Sequence, residues 1–140
     1  MKKLLLIPFL LLSIAFAQKL KYVVVKCTMQ GTNGTRDTVF NGKAGSITAL
    51  VDLDAKTMDF DWKTPEFNTV KKYTIEQSNI KKEEIYRTMG IYSILLKCRN
   101  KLGKDCTAEI AVSERINKID IIVVDGSFVL TYNAVEVESK

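Results

Sequence analysis

The chain is expected to fold as an all-β domain of eight or nine antiparallel strands, built of hairpins into a small barrel or a two-sheet sandwich. Three observations predict this. Apolar residues recur at every second position through most of the chain, turn signals separate the runs, and no segment sustains a helical period. No internal repeat, linker or low-complexity tract interrupts the pattern.

The first element is a leader. Met1, Lys2 and Lys3 make a positive start, Leu4 to Phe16 form an apolar run of thirteen residues broken by Pro8, and Ala15-Phe16-Ala17 is a small-x-small cleavage site. Such a run is too short to cross about 30 Å of hydrocarbon as a helix. No second apolar span follows, and position 18 is Gln where a lipoprotein needs cysteine. Residues 1–17 are therefore expected to be a removed signal peptide and residues 18–140 a single β-domain. The product would be exported, periplasmic or secreted, and not integral to a membrane after cleavage. The 123 residues left after Ala17 suffice for one hydrophobic core and not for two.

The strand candidates follow in order. Val23, Val25, Cys27 and Met29 alternate in the first, and a second lies at residues 36 to 41 between Gly31-Thr32-Asn33-Gly34 and Asn41-Gly42-Lys43-Ala44-Gly45. Ile47, Ala49, Val51 and Leu53 alternate in the third, and Met58, Phe60 and Trp62 in the fourth. An even loop over Asp54 to Thr57 keeps these two sets on one face, because an odd loop would bury aspartates. That register sets Asp52 opposite Asp59. Further strands are expected near 70 to 77, 88 to 98, 106 to 113, 118 to 124 and 128 to 137. The best case for helix is Ser78 to Met89, where Ser78 can cap and Ile85 and Met89 sit four apart, but Thr88 and Gly90 limit it to a turn or two.

Two more hairpins can be put in register. Asp125-Gly126 suits a type I′ turn, setting Val123 opposite Phe128, Ile121 opposite Leu130 and Ile119 opposite Tyr132, with Ile122 and Val129 together on the other face. After Tyr132 the apolar parity changes to Val135 and Val137, which suggests a bulge near Asn133-Ala134. In the other hairpin, a three-residue loop Lys101-Leu102-Gly103 with Gly103 left-handed makes Cys98 and Cys106 directly opposed. Opposed strand residues lie at about 4.5 to 5.5 Å between Cα atoms, a span a disulfide tolerates. A Cys98–Cys106 bridge is expected in an exported chain, contributing about 2.5 kcal/mol less any strain. Cys27 follows core parity and is expected to be a small buried hydrophobe.

Composition excludes several functions. The chain has no histidine, which removes the commonest general base, the usual serine and cysteine triads and His-containing zinc sites. Loss of Lys2 and Lys3 lowers the formal net charge from +5 to +3, too little to argue for nucleic acid, and Glu83-Glu84 offset the Lys81-Lys82 doublet. Gly31-Thr32-Asn33-Gly34 lacks the lysine of a phosphate-binding loop and is expected to be a turn.

Asp52, Asp54, Asp59 and Asp61 project outward from the third and fourth strands, a weak metal candidate since carboxylates suit hard cations. Their spacing matches no calcium loop, and Lys56 and Lys63 can neutralise them. On a convex face they do not flank a sugar-binding cleft. Trp62, Tyr73 and Tyr132 share core parity, whereas Tyr86 and Tyr92 flank the irregular segment and are weak binding candidates.

The expected function is therefore a non-enzymatic exported β-domain that binds a macromolecular or cell-surface partner, with no catalytic residues and no cofactor. The alternative is a barrel carrying a hydrophobic small molecule. Such a barrel resembles lipocalins in size and strand count alone. The Gly-x-Trp signature of that family is absent, and no function is carried over. Ligand carriage implies a central apolar cavity of roughly several hundred Å³, whereas macromolecular binding implies a filled core and an exposed patch.

Overall fold

The computed structural model describes residues 19–31, 34, 36–42, 46–81 and 90–136, and within them nine strands form one antiparallel sheet. The expected signal peptide over residues 1–17 lies outside the described residues. In chain order the strands are β1 (Lys19–Gln30), β2 (Arg36–Asn41), β3 (Ile47–Asp52), β4 (Thr57–Lys63) and β5 (Asn68–Lys81). They continue as β6 (Ile91–Arg99), β7 (Asp105–Ser113), β8 (Lys118–Asp125) and β9 (Phe128–Glu136), with a 3-10 turn at Glu114–Ile116 between β7 and β8.

From β3 onward each strand pairs with the next, and β9 returns to pair with β1. Eight strands thus close into a barrel, which removes the sandwich alternative. The extra strand is β2. It shares one edge of β1 with β3, residues 19–24 pairing with β3 and residues 26–30 with β2. Bulges bend a ladder and increase its twist, which closure requires. They occur at Val25 against β9, at Val39 against β1, and at Glu76 against β6.

The Val25 bulge corrects two expectations. Tyr22 and Val24 face inward, the bulge absorbs Val25, and Cys27 returns to the interior, so Val23 and Val25 do not share a face with Cys27. Three consecutive valines carry no parity of their own, and the large Tyr22 side chain takes the inward position. The bulge expected at Asn133-Ala134 lies instead on the opposite strand, where Val24 pairs with Ala134 and Lys26 with Asn133. Ala134 is buried and keeps the parity of Tyr132, so the parity of β9 does not change to Val135.

Two hairpins keep their expected faces and shift register by two residues. Asp125 pairs with Phe128 and Val123 with Leu130, leaving Gly126-Ser127 as the turn. Gly126 has φ +61 and Ser127 is not left-handed, the pattern of a type II′ turn rather than type I′. In the β3–β4 hairpin Val51 pairs with Met58 and Asp52 with Thr57, so the loop is Leu53–Lys56. The Asp52 carboxylate accepts the Ala55 N–H at 3.0 Å, Lys56 takes φ 58, and the Lys56 carbonyl accepts the Ile75 N–H at 2.8 Å. These contacts fix the shorter strands. The third hairpin matches its expected register, with Cys98 opposite Cys106 and Gly103 at φ +78.

Ser78 to Lys81, the start of the segment considered for helix, is strand, and the remainder lies outside the described residues. β5 pairs with β4 over residues 68–74 and with β6 over residues 74–81. Its first half therefore runs past the end of β6, beside the loop at residues 101–103.

Aromatic side chains fill the middle of the barrel. Phe60 and Tyr132 stack at 4.2 Å with an interplanar angle of 11°, Tyr73 meets Phe60 edge-on at 6.0 Å, and Trp62 meets Tyr132 edge-on at 6.0 Å. Phe60 and Tyr132 have no exposed surface. The centre is packed, with apolar side chains from all eight strands of the closed ring around it.

Candidate functional site

Cys98 and Cys106 face each other across β6 and β7 as buried thiols, and Cys27 is a third. Burial pushes Cys27 up to about 12, with Lys71 opposing the rise, and pushes Cys98 up to about 12, with Cys106 and Glu76 adding to it. Cys106 is raised chiefly by burial and then by Asp125. As thiols these groups are poor nucleophiles at neutral pH.

The four aspartates do not converge. Asp52 pairs with Thr57, and Asp59 lies between Leu50 on β3 and Lys72 on β5, so the expected Asp52–Asp59 opposition is absent because the loop starts one residue earlier. Asp61 lies 3.7 Å from the Lys63 ammonium, and Asp54 sits exposed in the loop. Among the described residues no group of three acids, cysteines or histidines is placed to hold a metal ion.

Tyr86 lies outside the described residues. Tyr92 sits opposite inward-facing Val112 and packs half-buried against the core, and its hydroxyl pKa is raised by burial and then by Glu114 and Glu136. It forms part of the barrel's end rather than a free contact surface.

At the opposite end one acid ties three segments together. Asp125, the last residue of β8, accepts the Asn100 Nδ2–H at 2.9 Å and the Tyr73 hydroxyl at 3.3 Å. The Asn100 oxygen in turn accepts the Leu102 and Lys104 N–H groups at 2.9 and 3.0 Å. Burial, reinforced by Asp125, raises the Tyr73 hydroxyl pKa. Beside this cluster, where β5 outruns β6, a groove of about 250 Å³ is lined by Lys71, Lys72, Lys101 and Leu102.

A further recess is on the outer wall. A groove of about 400 Å³ crosses β5 to β8. Register builds it from two outward-facing rows, Gln77–Lys97–Thr107–Val124 and Asn79–Leu95–Glu109–Ile122. Leu95 is 37% exposed and Val124 41%. The cause lies in β8, whose Ile119, Ile121 and Val123 point into the core while Ile122 and Val124 point outward. A strand apolar on both faces is normal where both faces are covered. Here the outer face of β8 meets no second layer among the described residues.

Alternation alone puts Ile122 on the outer face, but nothing in that alternation marks it or its groove neighbours as a binding surface. The signal was the unbroken apolar run Ile121 to Val124. The chain matches no family model, and no curated protein or solved structure is significantly similar to it.

Proposed function

We propose that this protein is an exported, non-enzymatic binding module that docks a protein component of the cell envelope through the outer groove on β5 to β8. The observation that carries the proposal is the doubly apolar β8, with Ile122 and Val124 outward and Leu95 two strands away on the same face. Gln77, Lys97 and Glu109 intersperse an amide and both signs of charge among the apolar Leu95, Ile122 and Val124, the mixed composition of a protein interface. The partner chemistry is correspondingly an apolar side-chain cluster flanked by polar groups.

Several features support the rest of the assignment. The packed Phe60–Tyr132 centre leaves the middle of the barrel to side chains rather than to a large ligand. Its apolar interior and mostly polar exterior are the inverse of a barrel that faces lipid. No helix among the described residues is long and apolar enough to cross a membrane. Raised thiols, dispersed carboxylates and the absence of histidine favour binding over catalysis. Export rests on the Lys2-Lys3 start, apolar run and Ala15-Phe16-Ala17 site, and the opposition of Cys98 and Cys106 supports a bridge between them in an oxidising compartment.

The test is comparative capture from native envelope extract with tagged mature protein. Wild type is expected to retain a discrete partner that Leu95→Lys and Val124→Lys each lose while keeping the wild-type circular dichroism spectrum. Equal capture by wild type and both variants would refute the groove as the docking surface.

A further inference from the structure

The mouth of the barrel at the Asp125 end contains a separate recess of about 160 Å³. Trp62 and Leu130, both buried, form its floor, and Met29, Val39 and Phe67 form its walls. It forms where β2 pairs with β1 as the edge strand of the sheet. Val39 bulges from β2, β4 stops at Lys63, and the chain turns through Thr64 to Phe67, whose backbone and hydroxyl hydrogen bonds bring the Phe67 ring to 5.7 Å from the indole.

Two lining residues, Thr69 and Lys71, break the apolar pattern, and Lys71 brings a charge. Lys71 occupies core-facing parity on β5, opposite Phe60 and two residues before Tyr73, and its ammonium lies 5.8 Å from the centre of the Trp62 ring. Side-chain ion pairs among the described residues join Lys63 to Asp61 and Arg99 to Glu76 and Asp105, so none of those carboxylates neutralises Lys71. The adjoining groove shares Lys71 and adds outward-facing Lys72, Lys101 and the Asp125 carboxylate. An apolar recess with a lysine ammonium at its lip is complementary to an amphiphilic anion.

We infer that this mouth binds a compact apolar carboxylate, with a ring-sized body between Trp62 and Phe67 and its carboxylate on the Lys71 ammonium. Size sets the class, because an apolar cavity of about 150 Å³ accepts benzene, whereas the stacked Phe60 and Tyr132 below Trp62 stop a long acyl chain. Chemistry sets the rest. Two aromatic walls favour an aromatic body by edge and face contacts, and a charge-assisted ammonium–carboxylate contact orients it. The site shares no residue with the outer groove, so either assignment can fail without the other.

Trp62 is the sole tryptophan, so its fluorescence reports directly on occupancy. The experiment titrates mature protein with benzoate, with benzyl alcohol as the ring without charge and acetate as the charge without ring. Benzoate is expected to give a saturable change with a Kd in the high micromolar to millimolar range, as suits so small a ligand. Lys71→Met should weaken benzoate by about tenfold or more, the scale of one charge-assisted contact, while moving benzyl alcohol less than about twofold. Val39→Phe, which fills the recess, should abolish both when binding is followed by calorimetry, and acetate should not saturate. Melting curves establish that each variant is folded. Benzoate binding Lys71→Met as tightly as wild type, acetate saturating like benzoate, or no saturable response in the wild type would each overturn the inference.

Discussion

Replacing Asp125 by Ala should loosen the Asp125 end of the barrel more than any other single change to an exposed or half-exposed polar residue. Its carboxylate accepts from Asn100 at 2.9 Å and from the Tyr73 hydroxyl at 3.3 Å, so one truncation unties β5, the loop at residues 101–103 and the end of β8. The Asn100 bond, to a charged but half-buried acceptor, is worth about 1 to 1.5 kcal/mol. Tyr73 is only 4% exposed, and stranding its hydroxyl costs about another 1 kcal/mol. The expected loss is therefore about 2 to 3 kcal/mol by urea denaturation. Asp120→Ala is the matched control, since its 2.7 Å bond to Asn133 lies on the outer wall and ties only neighbouring strands; it should cost about 0.5 to 1 kcal/mol. A double-mutant cycle of Asp125→Ala with Tyr73→Phe should give a coupling of about 1 kcal/mol. A loss below about 0.5 kcal/mol, with no coupling, would refute the tether.

Three further outcomes follow. In mature exported protein, peptide mapping without reductant should recover Cys98 joined to Cys106, and replacing both by Ala should cost about 1 to 3 kcal/mol without abolishing folding; Cys27 joined to either would contradict the register. Asp59→Asn should lower stability by about 0.2 to 1 kcal/mol, because the carboxylate faces Lys72 rather than Asp52; a rise in melting temperature would count against that pairing. Burial holds the Cys27 proton to about 12 against an ordinary 9.0, so the unfolded chain ionises first and stability should fall as pH rises through that window. The fall is up to about 1.4 kcal/mol per pH unit for this thiol. Cys27→Ala should flatten the alkaline decline, and an unchanged profile would show that the thiol is not held protonated.

Strand identity and facing were legible because alternation is a local property. Met58, Phe60 and Trp62 could only share a face, and that face is the core. Register was less legible, since it depends on which turn wins. At residues 125 to 127 a Gly-Ser type II′ turn displaced the Asp-Gly alternative, with Asp125 recruited by Tyr73 and Asn100 from distant segments. The β1 valines gave no parity until closure against β9 placed the bulge. In the sequence Lys71 is half of a Lys71-Lys72 doublet that reads as solvated surface, and its inward position emerges only from β2, β5 and the Phe67 corner meeting at one mouth. By contrast the opposition of Cys98 and Cys106 was readable, because loop length and one left-handed glycine settle it.

The outer groove as docking surface is tested most directly by photocrosslinking from two positions of matched exposure. Leu95 is 37% exposed within the groove, and Leu50 is 39% exposed on β3 in a row with Lys21, Asp59 and Lys72. A photoreactive residue at 95, in protein expressed in its native host, should crosslink to a discrete envelope protein that the same residue at 50 does not capture. Capture of the same species from both positions, or from position 50 alone, would contradict the assignment.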